Sequence, residues 1–237
     1  MESLTSKVCA FGDSVLKGIV FDKKTEKYQE IENNFANLSC STFGVPITNF
    51  GKFGSTIDTV EKSFLRYYDR LKDYKYIVFE CGGNDCDYNW KEIAETPDQD
   101  HYPRCTIEQF TEKYTFLIQK VKEMGKVPIL LSLPPIDAER YLNTLSKTLN
   151  KGNILKWLEG YVQHITNWHE RYNLEVFKIA RENGVDIIDI TSVFLDMKDY
   201  RKCLCDDGIH PNEEGHTLIA ETIKKYIENR FGLVSQN

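Results

Sequence analysis

The sequence predicts an α/β fold with three layers, α/β/α, in which helices cover both faces of a doubly wound, five-stranded parallel sheet. Three observations predict it. Short apolar runs end at glycine or proline, longer amphipathic stretches separate them, and the two kinds of segment alternate five times along 237 residues. Continuous apolar runs are typical of parallel strands that are buried on both faces. We interpret residues 1–237 as one domain, since a chain of this length is sufficient for one large core.

Five runs have the composition of buried strands. The first three, at residues 7–11, 45–50 and 76–81, are each followed directly by glycine. The fourth, 127–133, ends in two prolines, and the fifth, 185–190, follows a glycine. Right-handed crossovers between such strands produce a doubly wound sheet, in which ligands bind beyond the carboxyl ends of the strands. We therefore expect the reactive residues to follow these runs directly.

Apolar residues at helical spacing occupy the stretches between the strands. One helix is predicted over residues 107–121 and is closed by Gly125. A second is predicted to run without interruption over 158–179, and the last over 218–227. Aromatic residues on these stripes are expected in the core, and residues 22–24 are expected in a solvated loop.

Charge and composition exclude several classes of protein. The net charge is −6, the pI is about 5.5, and no block of basic residues is present, so we expect no nucleic-acid partner. Residues 1–10 lack the apolar run of a signal peptide, and no segment has the roughly 18 apolar residues of a membrane span. Seven cysteines are an odd number and indicate reduced thiols. We expect a cytoplasmic protein without a membrane partner. Whether it forms a homo-oligomer is left open by the sequence.

Neither a metal nor a cofactor is predicted. Cys203, Cys205 and His210 lie close together in sequence, but the chain has no Cys-x-x-Cys pair with the regular spacing of zinc ligands. It also has neither a Walker loop nor a Gly-x-Gly-x-x-Gly motif, so a nucleotide ligand has no support.

Polar residues and glycines follow the predicted strands, and another group precedes the last helix. These groups are Gly12-Asp13-Ser14, Gly51 and Gly54, Gly82-Gly83-Asn84-Asp85, and Asp207-Gly208-Ile209-His210. Because the carboxyl ends of parallel strands meet at one edge of a sheet, we expect these groups to converge there.

The converging residues are those that acyl transfer requires. The Ser14 hydroxyl is a weak nucleophile until a base takes its proton, and the His210 imidazole is suited to do so. Asp207, three residues before His210, can reach Nδ1 of the imidazole and hold its tautomer. Donors for an oxyanion would be the N–H of Ser14, the N–H of Gly54 and the side chain of Asn84.

Four sequence blocks resemble those of the SGNH, or GDSL-type, hydrolase family. They are Gly12-Asp13-Ser14 with Gly18, Asn49-x-Gly51-x-x-Gly54-x-Thr56, Gly82-x-Asn84-Asp85, and Asp207-x-x-His210-Pro211. The blocks occur in the family's order between residues 12 and 211. The resemblance implies a flavodoxin-like fold, with Ser14 as nucleophile, His210 as base and Asp207 as the residue that orients it. It also implies an oxyanion hole formed by Ser14, Gly54 and Asn84, and no cofactor.

The chain departs from the family pattern at one position. Phe53 precedes Gly54, where a small residue is common, and Gly51 is therefore a competing choice for the second oxyanion donor. The lipase motif Gly-x-Ser-x-Gly is absent because Leu16 stands at the position of its second glycine. This argues against the larger α/β-hydrolase fold.

Structural roles for the same residues are the alternatives. Ser14 could be the N-cap of the helix that it precedes, and Asp85 is interpreted as a structural partner of its turn. Asp206 competes with Asp207 as the partner of the imidazole, although the three-residue step favours Asp207. His216, in the last helix, is expected to be a surface or packing residue.

The predicted function is that of a serine esterase that forms an acyl-enzyme and acts on a small-molecule ester. Polar and aromatic residues in two long connections, 86–105 and 134–153, could surround a sugar. They are Tyr88, Trp90, His101, Tyr102, Arg140, Tyr141 and Asn143. Many members of the family remove acetyl groups from carbohydrates, so we favour an acetyl or other small acyl ester of a carbohydrate. The alternatives are a lysophospholipase, a thioesterase, a short-chain lipid esterase, and a catalytically idle ligand-binding domain.

Overall fold

A five-stranded parallel sheet forms the centre of the computed structural model, which describes residues 7–232. The strands are β1 (Val8–Gly12), β2 (Ile19–Asp22), β3 (Lys27–Glu30), β4 (Ile47–Asn49), β5 (Tyr76–Glu80), β6 (Val127–Leu131) and β7 (Asp186–Ile188). The helices are α1 (Ser14–Lys17), α2 (Phe35–Phe43), α3 (Ile57–Tyr67), α4 (Trp90–Glu95), α5 (Ile107–Glu123), α6 (Ala138–Leu145), α7 (Lys151–Trp157), α8 (His164–Asn183), α9 (Ser192–Leu195) and α10 (Glu213–Phe231). Short 3₁₀ helices lie at Tyr68–Asp73 and Tyr200–Cys203.

The five strands of the main sheet are all parallel, as the sequence predicts, and their order is β4-β1-β5-β6-β7. From β1 the chain moves outward to β4 and then returns to the other side of β1, where Ala10 lies between Asn49 and Val78. The strand order therefore reverses at β1. In open α/β sheets, ligands bind at the crevice that such a reversal leaves beyond the strand ends.

Alternate residues of β1 face opposite sides of the sheet, and each side has its own core. Cys9 and Phe11 pack in the cluster that includes α3, α5 and α8, whereas Ala10 packs in the cluster that includes α2 and α10. On this second side, α2 presents the small side chains of Ala36 and Ser39, which line an almost wholly apolar cavity of about 120 Å³. The arrangement confirms the predicted three layers.

Local sequence signals explain where the long helices begin and end. The Thr106 side chain accepts a hydrogen bond from the Gln109 N–H, and the Gln109 side chain accepts one from the Thr106 N–H, which forms a capping box at the start of α5. Gly125, with φ of 68°, follows the end of α5 as predicted. None of the helices within residues 7–232 is long and apolar enough to cross a membrane.

The two long connections contain helices that build a third apolar cluster. Ile93 of α4, Leu142 of α6 and Ile154 of α7 are buried in it together with Ile165 of α8. The cluster includes Ile136 and Ile209, which follow β6 and precede α10, so it lies beside the carboxyl edge of the sheet. It forms one wall of the cleft described below.

Two sequence predictions about secondary structure were wrong in part. The helix expected over 158–179 begins only at His164, because the chain turns after α7, where Glu159 and Gly160 have φ of 52° and 77°. The apolar period continues across the break because residues on both sides pack in the same cluster. Of residues 22–24, which were expected in a solvated loop, Asp22 ends β2 and pairs with Lys27 of β3, whereas Lys23 and Lys24 lie in the exposed turn of this antiparallel hairpin.

His216 is a packing residue of α10 and is completely buried. Its ring stacks on Phe35 at 5.8 Å, and Nδ1 accepts a hydrogen bond from the Phe35 N–H at 3.4 Å. Burial lowers the pKa of His216 from 6.5 to about 4. The imidazole is therefore neutral in the folded protein at neutral pH, as its acceptor role requires.

We expect this imidazole to make stability depend on pH. Because the unfolded chain takes up the proton first, the contribution of His216 to the free energy of unfolding is complete above pH 6.5 and is lost as the pH falls toward about 4. His216→Asn retains a side-chain acceptor for the Phe35 N–H without this titration. Urea unfolding at about pH 7 and about pH 5 should show a smaller difference between wild type and variant at the lower pH. A difference that does not change with pH contradicts the assignment.

Candidate active site

Ser14 lies at the point where β1 turns into α1. The strand ends at Gly12, where an added Cβ would lie 2.6 Å from the Glu80 carbonyl oxygen, so a larger residue would push β1 and β5 apart. Asp13, not Ser14, is the N-cap: its Oδ1 accepts a hydrogen bond from the Val15 N–H at 2.8 Å. Ser14 is thus the first residue of the helix, and its hydroxyl is not used as a cap.

A chain of hydrogen bonds connects Ser14 to two residues that lie almost 200 positions away in sequence. Nε2 of His210 is 2.9 Å from Oγ of Ser14, and Nδ1 of His210 is 2.6 Å from Oδ2 of Asp207. The other oxygen of Asp207 accepts the N–H groups of Ile209 and His210, both at 3.2 Å. The carboxylate therefore holds both the turn and the ring that the turn carries.

Asp206, the competing partner of the imidazole, points elsewhere. Its carboxylate forms an ion pair with Lys23 at 2.8 Å, and both side chains are substantially exposed. The N-cap of α10 is Asn212, whose side chain accepts the Gly215 N–H, so Asp207 does not cap that helix either. In the described part of the chain, Asp207 is the carboxylate that contacts the His210 ring.

Three unengaged donors point to the same place. The N–H groups of Ser14 and Gly54 have no hydrogen-bond partner within residues 7–232, whereas the Gly51 N–H donates to Oδ1 of Asn49 at 2.7 Å. Nδ2 of Asn84 donates one hydrogen to Oδ2 of Asp13 at 2.9 Å, and its second hydrogen is available. Ser14, Gly54 and Asn84 line one cavity, and Gly51 does not.

Asp85 connects the third block to the helix that follows Gly54. Its Oδ1 accepts the Ile57 N–H at the start of α3 at 2.8 Å, and the side chain is fully buried. Burial raises the pKa of Asp85 to about 7. Asp85 therefore has a structural role, as the sequence suggested. Its bond to the start of α3 fixes the position of the Gly54 turn relative to Asn84.

The cavity above Ser14 has a volume of about 390 Å³, and both long connections contribute to it. Tyr88, Trp90 and Tyr141 line it as expected. The sequence did not single out Asp87 and Arg104, which also line it. Asp87 accepts hydrogen bonds from Nε1 of Trp90 at 2.6 Å and from the hydroxyl of Tyr141 at 3.0 Å, and its Oδ2 is 3.3 Å from the Arg104 guanidinium.

Four residues expected around a ligand lie outside this cavity. The Arg140 guanidinium donates to the carbonyl oxygens of Arg201, Leu204 and Cys205, and so it holds the segment before His210. The ring of His101 packs against Trp157, Tyr102 is largely exposed, and the side-chain oxygen of Asn143 accepts a hydrogen bond from Lys151. Their positions in the long connections gave no information on which side they would face.

Cys203 and Cys205, which lie near His210 in sequence, are not arranged around a common point. The sulfur of Cys205 accepts the Phe21 N–H, and the Cys203 sulfur lies beside Met197. All seven cysteines are free. Within residues 7–232, no group of three histidine, cysteine, aspartate or glutamate side chains is arranged to hold a metal ion.

The sequence model of one enzyme family, described as GDSL-like lipase/acylhydrolase, matches residues 8–223. The chain belongs to this family. It is accordingly a carboxylic ester hydrolase. No protein with a curated description matches its sequence.

Solved structures have the same fold at low sequence identity. A lipase/acylhydrolase from Enterococcus faecalis is 18% identical, with 95% of this chain and 96% of that chain covered and a TM-score of 0.63. An acetylxylan esterase from Geobacillus stearothermophilus is 16% identical, with 94% of each chain covered and a TM-score of 0.63. A member of the lipolytic G-D-S-L family from Veillonella parvula is 16% identical, with 96% and 99% covered and a TM-score of 0.64. These structures confirm the predicted fold class.

Two aromatic side chains enclose the imidazole of this GDSL-type hydrolase. The ring of Phe53 is nearly parallel to the His210 ring at 6.1 Å, and the ring of Tyr28 lies 5.3 Å from both. Burial and the nearby Asp207 charge raise the pKa of Tyr28 to about 12, so its phenol is neutral at physiological pH. Sequence reasoning missed Tyr28, because the exposed strand β3 that carries it has no apolar alternation.

Alanine substitutions should distinguish the two glycines of the second block by stability. Gly54 has φ of 71° and no atom within 4 Å of an added Cβ, so Gly54→Ala should lower the free energy of unfolding by about 1–2 kcal/mol. In Gly51→Ala the new Cβ would lie 2.8 Å from the Lys17 backbone nitrogen and 3.1 Å from the Asp13 carbonyl oxygen. We expect a larger loss there, because the first turn of α1 must move. Urea unfolding measures both, and equal losses would contradict this.

Proposed function

We propose that this acylhydrolase is a serine esterase in which Ser14 is the nucleophile, His210 the general base and Asp207 the residue that orients it. The observation that carries the proposal is the continuous hydrogen-bonded chain: 2.9 Å from the Ser14 hydroxyl to His210, and 2.6 Å from His210 to Asp207. The first distance is suited to proton transfer from the hydroxyl to the imidazole, and the second allows the carboxylate to orient the imidazole. All three side chains are buried, so water competes little for these bonds.

In the first half of the reaction, Nε2 of His210 takes the Ser14 proton while Oγ attacks the ester carbonyl carbon. The carbonyl oxygen gains negative charge and accepts hydrogen bonds from the Ser14 N–H, the Gly54 N–H and the Asn84 amide. The imidazolium is stabilised by Asp207 and then gives its proton to the departing alcohol. An acyl group stays on Oγ.

In the second half, a water molecule takes the place of the alcohol. His210 removes a proton from this water, whose oxygen attacks the acyl carbon, and the same donors stabilise the second oxyanion. The C–Oγ bond breaks, Ser14 regains its proton from His210, and the carboxylic acid leaves.

For the substrate, we propose a small acyl ester, with acetyl first, of an uncharged carbohydrate. Tyr28, Phe53, Tyr88, Trp90 and Trp168 line the cavity. Aromatic rings provide flat apolar surfaces for the C–H faces of a sugar, and their polar edges can bond to its hydroxyl groups. One structural relative is an acetylxylan esterase, which is consistent with this class.

The charges of the cavity support an uncharged leaving group. Of the described residues that line it, Arg104 is the one with a permanently positive side chain, and it is paired with Asp87. Asp13 and Glu80 also line the cavity. Lysophospholipids and coenzyme A thioesters carry phosphate groups, whose binding is favoured by unpaired positive charge. The cavity does not supply such charge.

The central role of Ser14 can be tested by its removal. Ser14→Ala should abolish the turnover of p-nitrophenyl acetate, because no other hydroxyl within residues 7–232 is hydrogen bonded to His210. Ser41→Ala is the matched control, since it removes a serine hydroxyl on the exposed side of α2 and should leave kcat unchanged. Circular dichroism verifies that both variants fold. Equal turnover in Ser14→Ala and wild type would refute the mechanism and would favour an idle binding domain.

A panel of esters tests the substrate class. We expect acetylated xylo-oligosaccharides to have a kcat/KM at least about tenfold above that of a lysophospholipid and of acetyl coenzyme A, a difference of about 1.4 kcal/mol in transition-state binding. Phe53→Ala should reduce kcat/KM for the sugar ester more than for p-nitrophenyl acetate. A preference for the phosphate-bearing esters would contradict the substrate class and leave the serine mechanism intact.

A further inference from the structure

Two carboxyl groups lie buried in contact with each other directly behind Ser14. Asp13 and Glu80 are 3% and 1% exposed. The Asp13 N–H donates to Oε2 of Glu80 at 3.3 Å, and the two carboxyl groups lie close enough to share a hydrogen bond. In the part of the chain that the structure describes, no lysine, arginine or histidine nitrogen lies within 4 Å of either carboxyl.

Such a pair holds one proton between its two members. Two carboxylates in contact cannot both be ionised in a buried site without a cation beside them. Burial and the adjacent Asp13 raise the pKa of Glu80 well above its ordinary value. Asp13 is the better anion of the two, since its oxygens accept the Val15 N–H at 2.8 Å and Nδ2 of Asn84 at 2.9 Å. The proton therefore resides on Glu80, which donates it to Asp13.

The ionisation of Asp13 determines which end of the Asn84 amide faces it. An ionised carboxylate only accepts hydrogen bonds, so Asn84 must present its NH₂ group to Oδ2 of Asp13. The second hydrogen of that NH₂ group then remains for the oxyanion. A protonated Asp13 could donate instead, and the Asn84 oxygen would turn toward it. The amide would lose its fixed orientation as a donor.

We propose that Glu80, in its protonated form, is a positioning residue that keeps Asp13 ionised and thereby fixes Asn84 as an oxyanion donor. The inference rests on the role that the proposed function gives to Asn84. It assigns a task to two buried acids that take no direct part in the proton transfers of Ser14 and His210. Glu80 lies at the end of β5, four residues before Asn84, so a single strand end carries both the donor and the group that orients it.

A double-mutant cycle tests the proposal through kcat and KM for p-nitrophenyl acetate, with Ser14→Ala as the blank. Asn84→Ala should lower kcat by about 10²–10³-fold, the usual loss for one oxyanion donor. Glu80→Ala should lower kcat by about tenfold or more with KM unchanged, because a charged acceptor loses its donor. Glu80→Gln keeps an N–H donor for Asp13 and should stay within about threefold of wild type.

The decisive variant combines Glu80→Ala with Asn84→Ala. If Glu80 acts through Asn84, the double variant loses no more kcat than Asn84→Ala alone. Losses that multiply would show that Glu80 acts independently and would overturn the proposal. Glu80→Gln as slow as Glu80→Ala would also overturn it, since the N–H of the glutamine should replace the O–H that Glu80 donates to Asp13.

Two further outcomes are distinguishable. If Glu80→Ala does not fold, Asp13→Asn replaces it in the cycle. The new amide presents N–H to Asn84 and should lower kcat by about the same factor, and the double variant with Asn84→Ala should lose no more kcat than Asn84→Ala alone. If the kcat losses of Asp13→Asn and Asn84→Ala multiply in the double variant, the proposal is overturned as well. If Asn84→Ala alone leaves kcat unchanged while Ser14→Ala is inactive, the oxyanion role of Asn84 fails together with this inference, and the nucleophile assignment stands.

Discussion

Parallel strands end at the same edge of a sheet, and in this protein the pairing of β1 with both β4 and β5 brings three chain reversals to one point. Ser14, Gly54 and Asn84 follow those reversals, so their mutual positions depend on strand register rather than on long flexible loops. His210 is the exception, because it comes from the turn before α10. Its position relies on Asp207, which bonds to the turn and to the ring at once. The site is thus assembled by backbone geometry and completed by one carboxylate.

The site also concentrates buried acids, and each is matched by donors that the fold supplies. Asp207 accepts two backbone N–H groups, and Asp13 and Asp85 each accept one. Burial of a carboxylate is costly unless such bonds replace its water. These bonds connect the ends of β1 and β5 to the starts of α1 and α3. These buried acids therefore also stabilise the strand–helix junctions on which they lie.

Much of this arrangement is readable in the sequence, because buried parallel strands and the glycine turns after them leave strong local patterns. The doubly wound parallel sheet and the convergence of Ser14 with His210 follow from those patterns and from the handedness of crossovers. The hairpin of β2 and β3 could not be predicted from the sequence, since Lys27 to Glu30 are all exposed and carry no apolar alternation. The break before α8 was hidden because both flanking segments face one cluster. The sides to which Arg104, Arg140 and Tyr102 point depend on loop packing, which no local pattern encodes.

Tyr28 lies on that hairpin, outside the main sheet, and Phe53 lies on the turn after β4; both contact His210 from above. The reacting groups, in contrast, are held by strand ends and buried acids. In the proposed mechanism, the surface that meets the substrate and the groups that act on it are therefore separate parts of the molecule. Variation in the hairpin could redirect the enzyme toward other esters over evolutionary time, or in a laboratory library, while the core that holds the nucleophile stays untouched.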